Sequence, residues 1–333
     1  MATMRKIAQL AGVSPSTVSR VINGNVPVKE AARNKVLAAI QRLELAESRD
    51  GSMTKGNVGI IMPSSSAVNL AAHPSLYTTV LSFIETISSR SLGNTTILLD
   101  DFFSPERLNS ADLLGYLILG TSNAQEEYLL PMLTACGRPF VFINRLMGNV
   151  HASCVNIDDA QATEVAVNYL LSLGHKKIAF IGGDQDFPNT RIRYSSYKRT
   201  MEFAGLTVRS DYVFYGNYSE ESGAQMAERV MQLDLLPTAA CIASDSIAIG
   251  FIHRLAEFGI KVPDDMSIVG FGNIEASSYI TPALTTISQN SREIGHIAAL
   301  TLIQHIDNPC IYSQQVLIRT ALVIRNSCAA AKK

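Results

Sequence analysis

Apolar positions near the start of the chain recur at helical spacing. Val18, Val21 and Ile22 fall at i, i+3 and i+4, so one face of a helix through them is apolar. The residues between them are small and polar, with one arginine, which leaves the opposite face to solvent or to a partner. Two further segments with narrow apolar faces flank this helix, residues 4–11 and 29–43. Three short helices in about 45 residues predict a small all-α domain.

The second predicted helix has recognisable start and stop signals. A turn at Gly12 precedes Ser14, whose hydroxyl can cap a helix. Pro15 suits the first helical position because its missing N–H would have no helical partner there. Asn23 and Gly24 then end the helix. A tight turn between two short helices is the layout of a helix-turn-helix, so this helix is a candidate for reading DNA.

From residue 58 onward the spacing of the apolar positions changes. Short aliphatic or β-branched runs alternate with amphipathic stretches such as residues 162–173. This alternation predicts βαβ units, and about 270 residues fit two mainly parallel sheets better than one. The polar residues 46–57, which include two glycines, predict a linker. The predicted strands are Val58–Met62, Thr95–Leu99, Tyr116–Leu119, Phe140–Asn144, Ile178–Ile181, Val213–Gly216, Ala239–Ala243 and Ser267–Phe271.

Charge is distributed unevenly between the two parts of the chain. The 333 residues carry a net charge of −1, but residues 1–56 hold nine Lys and Arg against four Asp and Glu, a net of +5. The remainder therefore sums to −6. A basic end on an acidic body indicates a polyanion partner at that end. On charge alone, a small solvated basic patch is the simpler interpretation.

Cysteine usage and hydropathy narrow the class of protein further. The five cysteines are scattered and form no C-x-x-C pair, so neither a disulfide framework nor a zinc site is expected. No segment approaches the roughly 18 apolar residues of a membrane span, and the first residues do not resemble a signal peptide. We expect a protein of a reducing cytoplasm, with no cofactor, metal or membrane partner.

Several segments of the chain share a likeness to one family, in the right order. "IAQLAGVSPSTVSRVINGN" and "VKEAARNKVLAAIQRL" are followed by "LGHKKIAFIGG", "SEESG", "VPDDMSIVGF" and "PALTTISQ". Together they resemble the lactose-repressor/galactose-repressor family of bacterial transcription regulators over nearly the whole chain. Each segment is a weak signal by itself, whereas the ordered set behind a helix-turn-helix is specific.

The resemblance implies an architecture. An all-α helix-turn-helix domain (residues 1–45) and the linker (46–57) would precede a two-lobed α/β core (58–333) like a periplasmic binding protein, with two mainly parallel sheets. A small ligand, whether a sugar, a sugar phosphate or another metabolite, would bind between the lobes. The family binds operators as a dimer, so a homodimer is expected, with a tetramer as the alternative. The crossovers between the lobes are expected near residues 145–158, 282–290 and 318–323.

The resemblance also implies roles along the second helix. The positions at which the family reads bases are here Pro15, Ser16 and Arg20. The positions at which it holds phosphates are Thr17, Ser19 and Asn23, with Ser14 at the start of the helix. Arg suits a guanine edge and short hydroxyl side chains suit phosphates. Pro15 has no donor, so its part is apolar or structural, and the simplest alternative for Arg20 is a solvated surface charge.

Five positions are implied to form the ligand site, and three of them depart from the family pattern. Arg193 matches the arginine that grips the effector, and Asp245 matches an Asp at the end of a strand. Asn144, Ser244 and Gly272 stand where Asp, Asn and Asp are usual. Carboxylates and amides hold sugars through paired hydrogen bonds, so this set weakens the case for a simple sugar and favours an anion such as a sugar phosphate. The alternatives are a structural Arg193–Asp245 pair, or no small-molecule regulation.

The implied function is a sequence-specific DNA-binding transcription regulator of the repressor type, with operator DNA as its partner and a cleft ligand as its control. An enzyme is not expected, because the chain has no G-x-G-x-x-G, P-loop, G-x-S-x-G or H-E-x-x-H. Ser195-x-x-Lys198 is a pattern that arises often by chance. A second alternative is a cytoplasmic ligand-binding protein with a degenerate DNA-binding domain.

The linker is the largest departure from the family. The family usually has an aromatic residue, then Pro-Asn, then a short Ala/Leu-rich helix whose Leu wedges into the minor groove. Here Leu45 occupies the aromatic position, neither of the other features is present, and Met53 is the only large apolar residue of the linker. The sequence therefore predicts weak or absent kinking at the operator centre.

A linker that does not wedge the DNA should leave the bound operator nearly straight. We expect Met53→Ala to change neither the bend angle nor the affinity for an operator obtained by in vitro selection with the purified protein. Circularly permuted operator fragments in a gel-shift experiment measure the bend. A strongly bent operator that straightens with Met53→Ala would contradict the prediction.

Overall fold

The chain divides into two compact units, Met1–Thr54 and Lys55–Lys333. The protein is represented by a computed structural model, which describes residues 8, 11–15, 17–18, 35–36, 56–63, 74–99, 103–145, 152–308 and 312–332.

In the first unit, a turn and a cap join two helices as the sequence predicts. Gly12 has a φ of 63°, a left-handed conformation that glycine adopts at no steric cost. The N–H of Val13 donates to the carbonyl of Ala8 at 3.0 Å, which closes the end of the first helix. The Ser14 hydroxyl then accepts from the N–H of Thr17 at 3.2 Å and caps the second helix.

The described apolar residues of these helices are buried. Val18 in the second helix and Val36 in the third are both fully buried, whereas Ser14 and Pro15 at the start of the second helix are exposed. The second helix thus has one packed side and an exposed beginning.

The second unit is built on two sheets. Within the described residues its strands are β1 (Asn57–Pro63), β2 (Gly93–Leu99), β3 (Leu113–Ile118), β4 (Phe140–Ile143), β5 (Ser153–Ile157), β6 (Ile178–Gly182), β7 (Val213–Tyr215), β8 (Ala239–Ile242), β9 (Ser267–Gly272), β10 (Thr285–Ser288), β11 (Gln315–Ile318) and β12 (Ala321–Val323). Its described α-helices are α1 (Pro74–Ser88), α2 (Asn123–Cys136), α3 (Asp159–Ser172), α4 (Pro188–Phe203), α5 (Glu220–Met231), α6 (Asp245–Glu257) and α7 (Ser291–Asp307).

Each sheet is the centre of one lobe. The first has the order β11-β5-β4-β3-β1-β2 and is parallel throughout. The second has the order β12-β10-β9-β8-β6-β7 and is parallel except for β12, which runs antiparallel to β10. Central strands such as β1 have consecutive buried residues, because helices cover both faces of the sheet. The predicted fold class, two mainly parallel sheets in a two-lobed α/β core, is confirmed.

The chain passes between the two lobes three times. It leaves the first sheet after β5, at Asp158, and enters the second lobe through α3. It returns after β10, through Gln289 and Asn290, to α7, which packs on α1. The last passage, at Arg319 and Thr320, joins β11 to β12. Three adjacent passages leave the lobes connected on one side and separated by a cleft on the other.

Four strands were not predicted from the sequence, whereas each predicted strand is present with its ends shifted by at most three residues. The missed strands are β5, β10, β11 and β12. Each has only three to five residues, and segments such as "SCVNI" and "TTIS" are half polar. Their pairing is decided by neighbouring strands distant in sequence, which local periodicity does not report.

An aromatic cluster fixes α4 against the second sheet. Tyr197 on α4 is fully buried, and its ring centroid lies 5.3 Å from that of Phe180 on β6. Its hydroxyl donates to the carbonyl of Ile178 at 2.7 Å. Burial raises the pKa of Tyr197, so this donor keeps its proton. Tyr194 and Tyr215 pack on the same phenylalanine ring.

Removal of this hydroxyl should loosen the attachment of α4. Tyr197→Phe keeps the ring but deprives the Ile178 carbonyl of a donor, so we expect a loss of about 1–2 kcal/mol in the free energy of unfolding. Denaturant unfolding followed by circular dichroism measures it. Tyr279→Phe, at a side chain that is 77% exposed, is the matched control. Equal losses of unfolding free energy in Tyr197→Phe and Tyr279→Phe would refute a stabilising hydrogen bond from Tyr197 to Ile178.

Candidate functional site

A cavity of about 180 Å³ lies between the two lobes, at the carboxyl ends of the parallel strands. This is where open α/β sheets commonly bind ligands. Its volume exceeds the roughly 150 Å³ with which an engineered cavity takes up benzene, so a small ligand fits. The walls include Leu76, Asn144 and Arg145 from the first lobe and Phe187, Arg193 and Phe271 from the second.

Arg193 is the most strongly held of the predicted cleft residues. It lies on α4, is 4% exposed and lines the cavity. Its Nε and Nη2 lie 2.7 Å from Asp159 Oδ1, and its Nη1 donates to the carbonyl of Ala243 at 2.5 Å. The guanidinium stacks on the ring of Phe271, 3.6 Å from the centroid. The ion pair therefore forms with Asp159, and the pair with Asp245 considered from the sequence is not present.

Asp159 supplies the carboxylate that compensates the charge of the buried Arg193 guanidinium. It is the first residue of α3, directly after the first passage between the lobes. Burial raises the pKa of its carboxyl, and the charge of Arg193 opposes that shift. Asp159 is not among the described residues that line the cavity, so the acid lies behind the arginine.

Asp245 follows the carboxyl end of β8, the strand-end position that the resemblance implied, but the described cavity wall does not include it. It is fully buried. One carboxylate oxygen accepts from the hydroxyl of Thr286 at 2.5 Å, and the other accepts from the N–H of Ile274 at 2.9 Å. Asp245 thus fixes the segment after β9, and Ile274 of that segment lines the cavity. The structure supports a positioning role, acting through Ile274.

The glycine at position 272 is explained by its backbone conformation. Gly272 has a φ of 140°, a conformation that L side chains rarely adopt. A Cβ atom here would lie 3.4 Å from Asp245 Oδ2 and 3.4 Å from Ser75 Oγ. An Asp at this position would therefore place a second carboxylate beside a buried one. Gly272 lines a groove next to the cavity, and it is not among the described residues of the cavity itself.

Asn144 and Ser244 do line the cavity together with Arg193. Asn144 follows β4 with a φ of 60°, a left-handed conformation that Asn tolerates better than most residues. Ser244 precedes α6 as its N-cap, but its hydroxyl makes no capping hydrogen bond. These two polar side chains do not cap a helix and are available to a ligand. Of the five predicted residues, three thus meet at one cavity.

A second arginine of the cavity was missed from the sequence. Arg145 is 7% exposed and forms a buried ion pair through Nε with Glu126 of α2. Its backbone N–H donates to Asn156 Oδ1 at 2.6 Å, and its carbonyl accepts from the amide nitrogen of the same side chain. Glu126 also accepts from the hydroxyl of Thr121 at 2.6 Å. The available signal was its place directly after a buried strand, next to Asn144.

The described part of the predicted DNA-reading helix is limited to its first turn. Ser14 is its cap, Pro15 is exposed, and the half-buried Thr17 has its hydroxyl 2.9 Å from that of Ser14. The remaining predicted residues, Ser16, Ser19, Arg20 and Asn23, lie outside the described residues, as does the linker segment 46–55. Their roles stay predictions.

The other chemical patterns of the sequence do not assemble into a site. Ser195 and Lys198 lie on the exposed side of α4, and neither is a described lining residue of the cavity. Among the residues that the structure describes, no cluster of His, Cys, Asp or Glu could hold a metal ion. None of the described helices is long and apolar enough to cross a membrane.

Comparison with known proteins identifies the family. Residues 3–46 match the model of the bacterial regulatory proteins of the lacI family, and residues 167–328 match that of the periplasmic binding protein-like domain. The chain is 31% identical over 338 residues to catabolite control protein A of Priestia megaterium, covering 98% of each protein. The chain belongs to the LacI family.

Further relatives and solved structures agree with this assignment. The LacI-family chain is 30% identical to the HTH-type transcriptional repressor PurR of Histophilus somni (strain 129Pt), over 98% of this chain and 99% of that protein. A complex of the transcriptional regulator CelR with cellobiose superimposes with a TM-score of 0.73 at 26% identity, covering 98% of this chain and 100% of that one. The lac repressor dimer bound to operator and the anti-inducer ONPF gives 0.72 at 25%, covering 98% and 99%.

The LacI-family chain is thus a ligand-controlled DNA-binding repressor and not an enzyme. This agrees with the function expected from the sequence. The alternative of a ligand-binding protein with a degenerate DNA-binding domain is not supported by these relatives.

Asp245 should make the stability of the regulator depend on pH. Burial raises its pKa from 3.8 to about 6, so the folded protein binds the proton more tightly than the unfolded chain. The stability contributed by the protonated group is present below pH 4 and is lost as the pH rises to about 6. Relative to Asp245→Asn, the free energy of unfolding should fall by on the order of 3 kcal/mol across that interval.

Denaturant unfolding of both proteins between pH 4 and 7 measures this difference. Asp265→Asn is the matched control, because hydrogen bonds from the backbone of Lys261 and from Lys332 lower the pKa of Asp265, so that its titration falls below this pH interval. If the difference in unfolding free energy between the wild-type protein and Asp245→Asn does not vary with pH, the raised pKa of Asp245 is contradicted.

Proposed function

We propose that this LacI-family regulator works as a homodimer in the bacterial cytoplasm. It reads an operator on the nucleoid with its N-terminal helices and exchanges a small metabolite in the cleft. The observation that carries the proposal is the cavity walled by both lobes. A ligand that contacts both walls binds the closed arrangement more tightly than an open one, so its binding shifts the protein towards closure.

The N-terminal unit supports the reading of DNA through its charge and its helix start. Its excess of basic residues favours a polyanion. Ser14 fixes the first turn of the second helix, and Pro15 is exposed beside it. In this proposal Pro15, Ser16 and Arg20 contact bases, whereas Thr17, Ser19 and Asn23 contact phosphates.

Apolar side chains on the surface of the first lobe support a dimer. Tyr77 is 46% exposed and Leu81 is 40% exposed, and they lie one turn apart on α1. A two-fold axis near α1 would bury this pair against its copy in the second protomer. The solved lac repressor structure is likewise a dimer on its operator. Two copies provide two reading helices for the two half-sites of a palindromic operator.

The test starts from an operator obtained by in vitro selection with the purified full-length protein. We expect Arg20→Ala to weaken specific binding by about 1–3 kcal/mol and to relax the preference at one base position. Affinity for the selected operator should also fall steeply as salt rises, because bound phosphates release counterions. Fluorescence anisotropy with the operator and with a scrambled duplex measures both effects.

Arg254→Ala is the matched control, because Arg254 lies on the surface of the second unit and pairs with Glu228 and Glu257. It should leave operator binding unchanged. An unchanged base preference in Arg20→Ala removes this residue from the reading set. A protein that binds no DNA at any salt concentration would instead be a ligand-binding protein with a degenerate DNA-binding domain.

A further inference from the structure

Two buried arginines from opposite lobes line the same cavity. Arg145 follows β4 in the first lobe, Arg193 lies on α4 in the second, and both are at least nine-tenths buried. Their carboxylate partners, Glu126 and Asp159, are not among the described residues of the wall. Each ion pair therefore presents its cationic member to the cavity and keeps its anionic member behind it.

The helices around the cavity add to the same electrostatic preference. Residues from the first turns of α1, α4 and α6 line the wall, namely Pro74, Ser75, Pro188, Asn189 and Ser246. A helix begins with unsatisfied N–H groups and about half a positive charge. The N-cap residue of α6 makes no side-chain cap with these groups, whereas in α4 the N–H of Thr190 donates to Asn189 Oδ1 at 3.0 Å. Asp245 belongs to the first turn of α6, but its carboxylate bonds to Thr286 and Ile274.

Two segments next to cavity-lining residues hold no acid, although Asp184 and Asp186 precede the lining residue Phe187 in the sequence. Residues 64–73, "SSSAVNLAAH", follow β1, and residues 146–151, "LMGNVH", follow Arg145, and neither segment holds an Asp or Glu. The described cavity wall has no carboxylate, but it has the amides of Asn144, Asn189 and Gln289. Amides can hold hydroxyl groups, while guanidinium groups and helix N-termini favour carboxylate or phosphate.

We infer that the cleft ligand is an anion, a small hydroxylated metabolite whose carboxylate or phosphate group is bound by Arg145 and Arg193. The inference rests on the proposed function, since it names the chemical class of the ligand in that cleft. Because the two arginines belong to different lobes, a shared anion also ties the lobes together. This gives the ligand a direct route to cleft closure.

The test uses the full-length protein and four probes: glucose, glucuronate, glucose 6-phosphate and inorganic phosphate. Thermal unfolding at constant ionic strength, with chloride as the reference, reports binding as a saturable rise in Tm. We expect at least one anionic probe to stabilise the protein with an affinity tenfold or more above that of glucose. Glucuronate against the two phosphate probes then decides between a carboxylate and a phosphate group.

Arg145→Gln and Arg193→Gln should each lose tenfold or more in affinity for that anion. Arg254→Gln, the same substitution outside the cavity, should bind it like the wild-type protein. Arg145→Lys keeps the charge without the planar fork and should retain part of the affinity, which separates lost charge from lost folding. Circular dichroism of each variant in chloride confirms that it is folded.

Two results would overturn the inference. The first is that no anionic probe stabilises the protein beyond chloride, or that glucose does so equally well. The second is that stabilisation by the anion persists in folded Arg145→Gln and Arg193→Gln. A measurement of operator binding with the same preparation distinguishes a failure of the inferred ligand class from a failure of the proposed function. DNA binding without anion binding refutes only the ligand class, whereas anion binding without DNA binding at any salt concentration refutes the proposed function.

Discussion

The shape of the cleft depends on the ion pair of one buried guanidinium, that of Arg193, which lines the cavity between the two lobes. Arg193 bonds to the first residue of α3, to the carbonyl that follows β8 and to the ring of Phe271 on β9. An unpaired charge in such a place would cost several kcal/mol, so these contacts have to form together. One side chain thereby holds the ends of two strands and two helices at fixed positions around the cavity.

The second arginine is fixed by a different device. Asn156 on β5 bonds to both backbone polar groups of Arg145, and Glu126 pairs with its side chain. The residue therefore belongs to a network within the first lobe, while Arg193 belongs to one within the second. Asp245, which is not part of the described cavity wall, fixes the segment after β9 by accepting a hydrogen bond from the N–H of Ile274. The cavity surface is thus shaped by polar groups that mostly do not line it.

The parts of this arrangement differ in how far they could be predicted. The turn at Gly12 and the cap at Ser14 are local, and the structure has them as predicted. The place of Arg193 in the cavity also agrees with the sequence, but its acid was not predicted. Asp159 lies 34 positions before Arg193, and Glu126 lies 19 positions before Arg145, so only the packing of separate elements brings each pair together.

By itself, the sequence determined the class of each domain, the family and the central strands, because these follow from periodicity, helix signals and ordered segments. The tertiary structure alone decided which acid pairs with which arginine, which side chains reach the cavity and why residue 272 is glycine. It also decided the short strands β5, β10, β11 and β12, which exist through pairing with distant neighbours. Burial and long-range pairing are properties of the packed chain, and local sequence does not encode them separately.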